Sequence, residues 1–232
     1  MTGSQKMKIN IIKYENREQQ EESLAEEIAD KIKQITSEDK TAHLLLSGGS
    51  TPNNMYSKLF SKDLNWNNVK MYLVDERFFP NNSSFSNEKM IREQLEKVFG
   101  DSNAFTGMVH DINNKENNLE KLKIKYSGID FKDSIIVLGM GNDGHFASLF
   151  PNDSASESGL DTNASNLLNT NAPNEPKLRI SFSAAAICRS PNVYLMITGE
   201  NKLKVLESAE SNSLPIAFML RQKPEMKTIY AD

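Results

Sequence analysis

Ala42-His43-Leu44-Leu45-Leu46-Ser47-Gly48-Gly49-Ser50-Thr51-Pro52 is the stretch from which the fold is read. Residues 42–46 are a short apolar run, the pattern of a strand buried in a sheet. The glycines and hydroxyls that follow lead into a helix, with Thr51 placed to cap it and Pro52 to take its first position, where a missing N–H costs nothing. Strand, glycine turn and helix together make the repeating unit of an α/β protein. Glycine lets the backbone approach an anion closely, and the free N–H groups and dipole of a helix N-terminus favour negative charge, so the turn suits a phosphate. It equally suits a plain strand-to-helix turn that needs positive φ, and the GxxxxGK[ST] spacing of a Walker A loop is missing.

Outward from this unit the alternation repeats. Strand patterns fall at 69–74, 134–138, 179–183, 193–198 and 228–230, and helical patterns at 18–35, 87–98, 113–126 and 201–209. In the first helix Leu24, Ile28, Ile32 and Ile35 share one face among charged residues, as in a helix laid on a sheet. Residues 152–176 are rich in Asn, Ser and Pro and read as a long surface loop. No Pro/Gly/Ser linker divides the chain, so residues 1–232 are read as a single α/β domain with a mostly parallel sheet, of which 1–8 are expected to be poorly ordered.

Composition removes several classes of function. The chain carries 27 Lys and Arg against 31 Asp and Glu, a net charge of −4, with no basic cluster, which argues against a nucleic-acid partner. The most apolar stretch, 135–140, falls far short of a bilayer span, and residues 1–8 lack the apolar segment of a secretory signal. A soluble cytoplasmic protein with no membrane partner is expected. Cys188 is the only cysteine, which excludes a disulfide framework and a Cys-based zinc site. His43, His110 and His145 lie far apart without HExxH-type spacing, so no metal is expected. No pattern specifies an oligomeric state.

Two further segments leave strand ends, where open α/β sheets place their ligands. Asp75-Glu76-Arg77 concentrates two carboxylates and a guanidinium. A surface ion-pair cluster has the same composition, and only its place at a strand end favours function. Gly139-Met140-Gly141-Asn142-Asp143-Gly144-His145 contains a literal GxGxxG. A dinucleotide-binding helix should open directly after it, yet Pro151 interrupts within seven residues of Gly144, and Asp161 lies in the polar loop and not at a strand end. The nicotinamide reading is therefore weak. Asp143 and His145, on either side of Gly144, are the better lead, because an imidazole titrates near neutrality and a nearby carboxylate orients or tunes it.

Taken together, Leu46-Ser47-Gly48-Gly49-Ser50-Thr51-Pro52, Val74-Asp75-Glu76-Arg77-Phe78-Phe79-Pro80 and Gly139-Met140-Gly141-Asn142-Asp143-Gly144-His145-Phe146-Ala147-Ser148-Leu149-Phe150-Pro151 resemble the 6-phosphogluconolactonase family. Ser86-Asn87 with Met90-Ile91-Arg92-Glu93, and Thr198-Gly199-Glu200-Asn201-Lys202, resemble its later motifs in the same order. The related glucosamine-6-phosphate deaminase/isomerases carry a Glu before the Pro, where this chain has Phe150, the lactonase form. Phe146, Asn142 and Asn152 depart from the family's usual Thr, Pro/Glu and Gly, which bears on substrate fit.

The resemblance implies a doubly wound, Rossmann-like sheet flanked by helices. It also implies hydrolysis of 6-phosphoglucono-δ-lactone, a phosphorylated sugar lactone, in the oxidative pentose phosphate pathway, with no metal or organic cofactor. His145 is then the general base, Asp143 orients it, and Arg77 with backbone N–H groups receives the oxyanion. Gly48, Gly49, Ser50 and Thr51 cradle the phosphate with Lys202 and Arg179, while Asp75 and Asn87 meet sugar hydroxyls. The alternatives on the same fold are an isomerase-deaminase, disfavoured by Phe150, and a non-catalytic sugar-phosphate sensor, disfavoured by His145.

Overall fold

Strands as apolar as 42–46 and 134–138 cannot face water on either side, so a sheet built from them must be sheathed in helices. The computed structural model describes residues 9–100 and 104–232; residues 1–8, expected to be poorly ordered, lie outside them. The chain runs β1 (Asn10–Lys13), α1 (Arg17–Thr36), β2 (Ala42–Leu46), α2 (Asn53–Phe60), β3 (Val69–Leu73), β4 (Asp75–Arg77), α3 (Asn87–Phe99), β5 (Phe105–Thr106) and α4 (Lys115–Lys125). It continues through β6 (Ser134–Leu138), α5 (Ser154–Gly159), β7 (Leu167–Asn171), β8 (Leu178–Phe182), α6 (Ala184–Cys188), β9 (Asn192–Thr198), α7 (Glu200–Glu207), α8 (Pro215–Gln222) and β10 (Lys227–Ala231).

The main sheet has the order β1-β10-β9-β6-β2-β3-β5, and its pairings are parallel. From β2 the chain builds one way, to β3 and β5; from β6 it builds the other way, through β9 to β10. The fold is thus doubly wound, and its winding reverses between β2 and β6. Loops from neighbouring strands diverge at such a switch point and leave a crevice at the strands' C-terminal ends. Both glycine-rich loops leave the sheet there. β2 and β6 are buried along their whole length, with Leu24, Ile28 and Ile32 of α1 in the same core. No helix among the described residues is long and apolar enough to cross a membrane.

Three local expectations are corrected. The helix after the first glycine turn starts at Asn53, with Pro52 at the N-cap and no side-chain cap, so Thr51 belongs to the turn. Asp75-Glu76-Arg77 is not a loop but β4, which pairs antiparallel with β8 and through it with β7 in a second, three-stranded sheet. The segment 152–176 contains α5 and β7. Its polar composition concealed both, because Asp153 is spent capping α5 and bonding Asn171, and Thr170 is buried with its hydroxyl on the Ser148 carbonyl (2.6 Å). β1, β5, α6 and α8 lie outside the patterns read from the sequence; all four are short, at two to eight residues.

One buried carboxylate fixes β4 against α3. Glu76 accepts hydrogen bonds from the N–H groups of Arg77 (2.7 Å), Asn87 (2.8 Å) and Glu88 (2.8 Å) and from the Ser86 hydroxyl (3.0 Å). Burial pushes its carboxyl up to about 7 against the pull of those four bonds. A carboxylate at this helix N-terminus also complements the dipole. Glu76→Gln turns an NH₂ group toward N–H donors, and is expected to cost about 1–3 kcal/mol of stability, measured as a lower urea midpoint with an unchanged slope.

Candidate active site

The crevice between the loops after β2 and β6 is a cavity of about 280 Å³. On one side Gly48, Gly49, Ser50 and Thr51 form its wall, and their N–H groups donate to no other described residue. Four adjacent unpaired donors at the start of α2 are an anion-binding arrangement. Glycine is required at 48 by close approach, since a Cβ there would lie 1.9 Å from Asn87 Oδ1. Gly49 has a φ of +96°, which favours glycine. The Asn87 carboxamide is enclosed between Gly48 and β4, with its Nδ2 donating to the Asp75 carbonyl (2.9 Å).

On the other side stands His145. Its Nδ1 is 2.6 Å from Asp143 Oδ1, which also accepts from the His145 N–H (3.2 Å). Burial opposes ionisation of Asp143, but the bonds and charge of His145 outweigh it and hold the carboxyl below its usual range. An ionised Asp143 accepts from Nδ1–H, which leaves the Nε2 lone pair available as a base. The loop keeps a glycine at 141 for this pair: a Cβ there would fall 2.2 Å from His145 Nδ1 and 2.5 Å from Asp143 Oδ1. The GxGxxG spacing therefore serves a histidine–aspartate contact. The Phe150 ring packs 4.6 Å from the imidazole, centroid to centroid.

Asp75, Arg77 and Lys202 complete the wall. The Ser148 hydroxyl donates to Asp75 Oδ2 at 2.6 Å, which leaves Oδ1 as the second acceptor of a buried carboxylate. Arg77 gives one guanidinium N–H to the Phe85 carbonyl (2.8 Å). Lys202, in the first turn of α7, is half-buried and makes no ion pair with a described residue, and burial lowers its pKa. The wall thus sets two cations and a cluster of N–H donors against one carboxylate.

Of the residues expected from sequence, Arg179 and Asp143 are not in the wall. Asp143 acts through His145. Arg179 lies directly across the antiparallel pair from Arg77, with its guanidinium 5.9 Å above the Phe150 ring. Burial and the neighbouring Arg77 lower its pKa, and its Nη1 has no partner among the described residues. Ser47 opens the predicted turn, whereas Ser148 has no signal beside it in the sequence, since its partner is 73 residues away.

A doubly wound α/β sheet, with a histidine–aspartate pair and a turn of free N–H groups meeting at its switch point, defines an α/β protein with a small-molecule crevice at its strand ends. Residues 15–229 match the family model described as glucosamine-6-phosphate isomerases/6-phosphogluconolactonase, and the chain belongs to that family. It is 34% identical over 215 residues to a 6-phosphogluconolactonase of Neisseria meningitidis, covering 90% of this chain and 93% of that one. A 6-phosphogluconolactonase of Rhizobium meliloti is 29% identical over 97% of this chain and 99% of its own. The crystal structure of a 6-phosphogluconolactonase from Shewanella baltica superposes with a TM-score of 0.89 at 29% identity, covering 98% of this chain and 99% of that one.

Gly141→Ala is expected to force the imidazole off Asp143 while the sheet stays intact. The His145 ring ¹⁵N resonances should lose the pattern of a fixed Nδ1–H tautomer, turnover should fall about a hundredfold, and the far-UV circular dichroism should not change.

Proposed function

We propose that the chain hydrolyses 6-phosphoglucono-δ-lactone to 6-phosphogluconate, the hydrolytic step of the oxidative pentose phosphate pathway. The observation that carries this reading is the Asp143-oriented imidazole facing, across one small cavity, a turn with four unpaired N–H groups. The relatives named 6-phosphogluconolactonase support the same substrate.

His145 Nε2 takes a proton from a water molecule as its oxygen attacks C1 of the lactone. The carbonyl oxygen becomes an oxyanion, which the remaining Arg77 donors stabilise. Collapse of this intermediate breaks the bond from C1 to the ring oxygen, and the imidazolium returns its proton to that oxygen. Asp143 stabilises the imidazolium without itself taking the proton. The phosphate lies on the 48–51 turn with Lys202 as its cationic partner, and Arg179 adds positive charge beside Arg77. Asp75, with Oδ2 held by Ser148, offers Oδ1 to a sugar hydroxyl, while Asn87 supports the turn. An isomerase would need a proton carrier where Phe150 places a hydrocarbon ring against His145.

His145→Ala should lower kcat on freshly generated lactone by about 10²–10⁴-fold, after correction for spontaneous hydrolysis, with 6-phosphogluconate binding retained. A wild-type kcat would overturn the assignment. Release of ammonia from glucosamine 6-phosphate, lost in the same variant, would place the chain with the isomerases instead.

A phosphate contact acts in the ground state and the transition state alike, so its loss appears mainly in KM. Lys202→Ala is expected to raise KM for the phosphorylated lactone roughly ten- to a hundredfold, with a smaller change in kcat. Unphosphorylated glucono-δ-lactone, a poor substrate, should respond little. Equal losses on both lactones would assign Lys202 another role.

A further inference from the structure

The turn at 48–51 is held from beneath by a side chain outside the cavity wall. Tyr56, in the middle of α2, is fully buried, with its ring stacked on Phe60 at 6.1 Å between centroids and 17° between planes. Its hydroxyl donates to the Ser47 carbonyl at 2.9 Å. The Ser47–Gly48 peptide is trans, and in a trans peptide the carbonyl and the N–H point in opposite directions. Anchoring the Ser47 carbonyl in the core therefore aims the Gly48 N–H away from Tyr56, and Gly48 forms part of the cavity wall. Burial raises the Tyr56 hydroxyl far above its ordinary range, so it stays protonated and stays a donor.

We infer that Tyr56 is a positioning residue for phosphate recognition, its hydroxyl fixing the Ser47–Gly48 peptide in the orientation that presents the Gly48 N–H to the substrate. The inference rests on the reading of 48–51 as the phosphate cradle. Glycine at 48 accepts either sign of φ, so its own backbone does not oppose the opposite peptide orientation. Without the hydroxyl, the Ser47 carbonyl is left as a buried acceptor with no partner, which favours the flip. The flipped peptide turns a carbonyl oxygen, in place of an N–H, toward an anionic group.

The test is Tyr56→Phe, which keeps the ring and its stacking and removes one oxygen. KM for the phosphorylated lactone should rise about tenfold, with kcat within about twofold, as expected for a contact present in both ground and transition states. Turnover of unphosphorylated glucono-δ-lactone serves as the control for folding and should be retained. In protein labelled with ¹⁵N-glycine, 6-phosphogluconate should shift the Gly48 amide strongly in the wild type and weakly in the variant, and gluconate should shift it in neither. If the wild type discriminates between the lactones and the variant keeps the same KM and Gly48 shift, the cradle stands and the role of Tyr56 is overturned. If the wild type neither discriminates nor shows the Gly48 shift, the cradle reading fails and the inference falls with it. Equal kcat losses on both lactones would make Tyr56 a support of the chemistry or the fold, which also overturns it.

Discussion

The site depends on the parallel pairing of β2 with β6, in the register His43–Ser134, Leu44–Ile135 and Leu45–Ile136. Parallel strands deliver their loops to the same edge of a sheet. Here the two neighbours carry the chain away in opposite directions, so nothing fills the space between their loops. The first backbone groups beyond each strand are then freed from the ladder without being buried by a crossing connection. On the β2 side they remain as N–H donors; on the β6 side the loop folds back, with Gly141 N–H bonded to the His145 carbonyl at 2.9 Å, and presents an imidazole.

A second physical theme is the pairing of buried polar groups contributed by distant segments. Ser148 donates its hydroxyl to Asp75 and its N–H to the Ser181 hydroxyl oxygen (3.1 Å), and its carbonyl accepts from the Thr170 hydroxyl (2.6 Å). Those partners come from β4, β8 and β7, so the small sheet acts as a frame that locks the loop after β6 to the strand carrying Asp75 and Arg77. Buried hydrogen bonds of this kind restrict the groups they join to one geometry. Glu76 does the same between β4 and α3. The adjacent acid-acid-base residues Asp75, Glu76 and Arg77 thus divide their work, since alternation along a strand sends neighbours to opposite faces: Asp75 and Arg77 reach the cavity and Glu76 the interior.

Glycines carry the site through proximity more than through flexibility. Gly48 admits Asn87, Gly141 admits the His145–Asp143 pair, and Gly144 packs against Leu214, where a Cβ would fall 2.7 Å from the Leu214 side chain. This resolves the ambiguity of the GxGxxG spacing. The same glycine pattern that lets a dinucleotide approach a backbone also lets a side chain do so, and only the three-dimensional neighbours tell the two apart.

Periodicity and residue chemistry alone determined the α/β class, the strands 42–46 and 134–138 to the residue, and the placing of His145, Asp143 and the glycine turn at strand ends, while Lys202 was singled out by the family motif it completes. These are properties of short segments: an apolar run cannot be a loop, and a glycine pair after it must turn. Only the tertiary structure decided that 75–77 is a strand, that 152–176 holds a helix and a strand, that Arg179 stands outside the cavity wall, and that Ser148 and Tyr56 support it. Each of these is fixed by a partner distant in the chain, such as Ile180 across from Glu76 in the second sheet. A polar strand is stable only when another strand takes up its backbone donors and acceptors. A buried serine or tyrosine gains its role from whichever acceptor the fold brings to its hydroxyl, and neither condition is written in the residues beside it.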